Sequence, residues 1–96
     1  MPYIKPDRRA QLDARIQDLV NSIMLLGDED QTLSDGDLNY AITKLLCKVL
    51  RLDTGTTKYH KINTAVGVLE CVKQELYRRV AVPYEKDKMT ENGDVF

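Results

Sequence analysis

Between Ile62 and Val80 the apolar residues Ile62, Ala65, Val66, Leu69, Val72, Leu76 and Val80 recur mostly in steps of three and four. That spacing places them on one side of an α-helix, and a stripe this continuous needs another apolar surface to cover it. The same element runs into Tyr77-Arg78-Arg79. Unpaired charge is costly to bury, so these cations are expected to face solvent, an acidic partner or an anionic ligand.

Two further helices are readable upstream. Leu12, Ile16, Leu19, Ile23 and Leu26 follow steps of four and three, widened by Val20 and Met24, which predicts a first helix over about residues 7–26. Pro6 suits a first turn, Asp7 opposes the positive end of the dipole, and Gly27 is placed to end the helix. Ser34-Asp35-Gly36-Asp37 resembles a capping box, opening a second helix over about 35–52 with Leu38, Ala41, Ile42, Leu45, Leu46, Val49 and Leu50 on its apolar face. Lys44, Lys48 and Arg51 recur on another face. The third helix is expected over about 59–82, where Pro83 disfavours helix for the residue before it. Residues 83–96 are expected to form a short polar helix or a tail.

The fold expected of these 96 residues is therefore all-α, a single domain built as a small bundle of three main helices plus a short C-terminal helix or tail. With 6% aromatic residues and no Trp, the core must come from Leu, Ile, Val and Ala. A core this small gains from self-association, so a homo-oligomer is expected to complete it. The start Met1-Pro2-Tyr3-Ile4-Lys5-Pro6 has no apolar signal-like run and no stretch is long enough to span a bilayer, so a cytoplasmic location without membrane contact is expected. Cys47 and Cys71 both fall in predicted helices and read as buried free thiols.

The formal net charge of −1 conceals an asymmetry. Asp28, Glu29, Asp30, Asp35 and Asp37 form an acidic connection, whereas Lys44 to Arg79 holds eight basic residues against Asp53, Glu70 and Glu75. Internal compensation between loop and helices is one outcome, and a phosphate-bearing or acidic partner is the other.

Several motifs fail on inspection. Asp53-Thr54-Gly55 matches the tripeptide of aspartic proteases, but that chemistry requires paired carboxylates on loops of a β-rich fold, and here the tripeptide joins helices. Gly55-Thr56-Thr57-Lys58 lacks the glycine and lysine spacing of a phosphate loop; N-terminal capping of the third helix by Thr56 or Thr57 is expected instead. Counted from Asp28, an EF-hand would need glycine at the sixth position and glutamate at the twelfth, which are Leu33 and Asn39. One His and two separated Cys make no structural zinc site, so neither cofactor nor metal is expected.

What persists is a set of tyrosines and cations: Tyr3 and Lys5, Tyr40 and Lys44, Tyr77 with Arg78 and Arg79, and Tyr84 with Lys86. Tyr and Arg are enriched where proteins grip partners, and together they can stack on a base and fork to a phosphate. The plainer alternative is that these tyrosines cover the edges of the core with their hydroxyls in water.

Met1-Pro2-Tyr3-Ile4-Lys5, Leu38-Asn39-Tyr40 with Ile42, the run from Gly67-Val68-Leu69-Glu70-Cys71-Val72-Lys73 to Tyr77-Arg78-Arg79, Pro83-Tyr84-Glu85 and Glu91-Asn92-Gly93-Asp94-Val95 together resemble a family of small proteins of bacteriophages and bacterial genomes. The resemblance implies a short, helical, cytosolic phage-type protein and transfers no catalytic residue. The expected function is non-enzymatic binding, with a host protein or a small anionic nucleotide as the target of a host-defence antagonist. A structural or assembly role through self-association is the alternative. Nucleic acid is the weaker partner, given the net charge and the long acidic turn before the second helix.

Overall fold

The computed structural model describes residues 1–27 and 34–96, and among them the fold is all-α. The acidic connection at 28–33, with the calcium-loop comparison made for it, lies outside the described residues. Helix α1 spans Pro6–Leu25, α2 Asp35–Leu50 and α3 Tyr59–Leu76; a π-helical segment at Tyr77–Ala81 then leads into α4, Val82–Asn92.

Helix α1 opens with Lys5 as N-cap and Pro6 in the first turn, where the missing N–H of proline costs no bond. The Lys5 carbonyl accepts from the N–H groups of Arg8 and Arg9. The helix ends without a left-handed glycine: Leu26 donates to Ile23 and Gly27 to Met24, tight bonds that close the last turn.

Ser34 caps α2 as expected, its hydroxyl accepting from the Asp37 N–H at 3.4 Å. The far end departs from expectation. Arg51 leaves the cationic face and adopts the left-handed conformation, φ 54° and ψ 47°, which lets Leu52 donate to the Cys47 carbonyl. The threonines also serve the other side of the connection. Thr57 does not cap α3; its hydroxyl donates to the Leu52 carbonyl at 2.7 Å, while Thr54 donates to Arg51 at 3.1 Å. These residues close the end of α2, where carbonyls lack partners, and α3 begins at Lys58 without a side-chain cap.

Pro83 does not end the third helix. From Tyr59 to Asn92 the helical path is unbroken, a rod of about 50 Å at 1.5 Å per residue that accounts for the 52 Å length of the molecule. The reason is the turn before the proline. Val82 donates to the Tyr77 carbonyl, five residues back, and this widened turn makes room for a ring that would clash with the carbonyl of residue 79 in regular α geometry.

The apolar stripes remain largely uncovered within one chain. Ala65, 6% exposed, is the one buried side chain among the described residues, whereas Val66 is 60% and Leu76 58% exposed. Cys71, expected to be buried, is exposed, and Cys47 is half-buried; both thiols are free. The radius of gyration is 17.2 Å, against about 12–13 Å for a compact domain of this length. The exposed surface is 8697 Å², against about 5,600 Å² for a compact monomer of 11.0 kDa.

Candidate functional site

The N-terminal segment lies along α3 and the start of the π-helical segment, and between them runs a groove of about 690 Å³. Met1, Pro2 and Tyr3 form one wall; Thr64, Gly67, Val68, Cys71 and Val72 line α3, and Arg79 and Val80 close the far end. At 100° per residue, this face is centred about a quarter turn from the Ile62, Val66 and Leu69 stripe, sharing Val72, Leu76 and Val80 with it. The rod therefore carries two apolar faces.

Two hydrogen bonds place the wall. The Tyr3 phenol donates to the Glu75 carboxylate, and Arg9 Nε donates to the Ile4 carbonyl at 2.7 Å, tying the segment to the start of α1. Glu75 is also gripped by Arg78, whose guanidinium lies 2.6 Å from Oε2. The phenol's hydrogen bond, chiefly, holds the Glu75 carboxyl below the usual carboxylate range; desolvation opposes it, and the charge and hydrogen bond of Arg78 and the charge of Arg79 add to the lowering.

The structure thus gathers Tyr3, Arg78 and Arg79 around Glu75. Arg78 pairs with that carboxylate while its side chain stays largely exposed. Arg79 has no carboxylate within ion-pair distance among the described residues. Tyr77 and Tyr84 share a shallow apolar face with Val80 and Ala81; the Tyr77 phenol donates to Glu85 at 3.4 Å, and the Lys88 ammonium sits 5.7 Å from the Tyr84 ring centre. Lys86 stands on α4, its carbonyl accepting from Thr90. Lys5 acts through its backbone as the cap of α1. Tyr40 and Lys44 are not part of this cluster: they line a separate cleft in which α2 faces Leu19 and Ile23 of α1 and its C-cap Leu26.

Glu75 and Gly67 are the residues that sequence reasoning passed over. Glu75 follows Lys73 and Gln74 and reads as a solvated charge until Tyr3 is brought to it. Gly67 had a signal: a glycine inside a helix weakens it unless something uses the missing side chain. Among the described residues no group of three His, Cys, Asp or Glu side chains is placed to hold a metal, and no helix is long and apolar enough to cross a membrane.

No curated protein and no solved structure matches the chain. Over residues 1–95 the chain matches, and so belongs to, the family described as domain of unknown function DUF6899.

Proposed function

We propose that this member of the DUF6899 family is the subunit of a homo-oligomeric, non-catalytic binding protein that captures an anionic component of a host cell. The observation that carries the reading is the uncovered surface. The chain exposes roughly 3,000 Å² more than a compact monomer of its mass, while a permanent interface buries about 1,000–2,500 Å² on each partner. Self-association is the economical way to cover faces that are repeated on every copy. The anionic target is suggested by Arg79, a cation without a carboxylate partner among the described residues, at the far end of the groove. Because the chain resembles small phage-encoded proteins, antagonism of a host defence by sequestration is the biological role we assign to that capture, exercised in the host cytoplasm.

Native mass spectrometry of protein purified gently from bacterial cells tests this. An oligomer carrying extra mass that is lost in Arg79→Ala is the expected result. An oligomer that stays bare, even after incubation with cell extract, would favour the assembly role, and a monomer would overturn the reading.

A further inference from the structure

We infer that the groove beside α3 is filled by the same groove of a second copy, the two rods lying antiparallel about a two-fold axis near Val72. The inference rests on the homo-oligomeric reading and specifies its contact. Three observations lead to it.

The first is the area. The excess surface of the whole chain is larger than the roughly 800 Å² per partner of a standard interface, and the groove is an apolar concavity of the rod that can contribute to it, with Val68 at 47%, Val72 at 49% and Val80 at 62% exposure.

The second is Gly67. A Cβ built there meets nothing within 4 Å, and its φ is not positive, so neither packing within the chain nor backbone conformation requires glycine. Its cost to the helix is explained if an external backbone approaches closely at that point.

The third is charge. The groove runs from Thr64 to Val80, so Val72 is its midpoint. Parallel rods would bring Arg79 against Arg79 and Glu75 against Glu75. Antiparallel rods separate the two Arg79 residues by about 20 Å along the axis, beyond a Debye length of about 8 Å at physiological salt, and oppose the helix dipoles. A two-fold axis at Val72 also brings each Cys71 close to its counterpart, since residues beside such an axis meet their own copies.

Two measurements decide it. Val72→Arg places like charges on the axis and is expected to weaken self-association by on the order of 100-fold or more, read by sedimentation of the full-length protein, with helicity followed by circular dichroism. In a Cys47→Ala background, mild oxidation is expected to yield a Cys71 disulfide-linked dimer at protein concentrations where denatured chains do not cross-link. The cross-link reads the contact in a chain unaltered at Val72, so it decides the matter if Val72→Arg loses its fold. If the protein is oligomeric but Val72→Arg leaves it so and Cys71 stays reduced, this contact is wrong while the oligomeric reading stands. If the unmodified protein is a monomer at tens of micromolar, both fall.

Discussion

The Tyr3 phenol and the Glu75 carboxylate are joined by a hydrogen bond across 72 positions of the chain, and that bond holds the N-terminal wall of the groove against the rod. Its dependence on pH follows from Glu75. Because the folded protein holds this carboxyl below its ordinary value of about 4.3, the ionised form favours the folded arrangement above that pH, and the preference is lost as pH falls through the lowered value. Protection of the Ile4 amide, which donates to the Pro2 carbonyl, relative to its intrinsic exchange rate at each pH, should be present at neutral pH and fall below about pH 4. Glu75→Gln should remove that pH dependence, and Tyr3→Phe should speed the same exchange at neutral pH with little change in overall helicity.

Ser34 supplies a single long bond to the first turn of α2. Ser34→Ala should therefore destabilise the protein by about 0.5–1 kcal/mol, the lower part of the range for lost caps. Ser34→Gly should cost only a few tenths. Thermal unfolding of the two variants against the parent distinguishes them.

Arg51 holds a conformation that disfavours side chains with a Cβ. Arg51→Gly should raise stability by about 0.5–1 kcal/mol, relief of strain outweighing the added freedom of the unfolded chain. Denaturant midpoints at unchanged slope would verify this.

Pro83 and the π turn before it form a matched pair. Pro83→Ala should let the rod relax to regular α geometry and gain stability, by less than the roughly 3 kcal/mol proline costs in an ordinary helix interior, since the widened turn already relieves the clash. The amide of residue 82 would move its hydrogen bond from the Tyr77 carbonyl to that of Arg78. Carbonyl shifts of Tyr77 and Arg78 by NMR follow that exchange of partner.

Local chemistry was legible where one stretch of chain decides the outcome. Ser34 and Asp37 sit three residues apart and make the cap that their spacing announces, and the helix periods of α1, α2 and α3 are plain. Legibility failed where two local rules compete or where distant residues meet. Pro83 reads as a stop because its neighbours show no sign that the preceding turn will widen. Thr57 can cap the helix after it or close the helix before it, and the left-handed turn at Arg51 presents the carbonyls that win. Glu75 became part of a site only through Tyr3, and no periodicity links positions 3 and 75. The second apolar face was hidden because Thr64, Glu75 and Arg79 interrupt its pattern.

The π turn at Tyr77–Ala81 keeps the rod on one path. Leu76, Val80 and Tyr84, each four residues from the last, stay on one shallow apolar face across the turn. One molecule can be held along the groove of α3, which ends at Val80, and still offer α4 to a second contact, so that occupancy of one half leaves the other available.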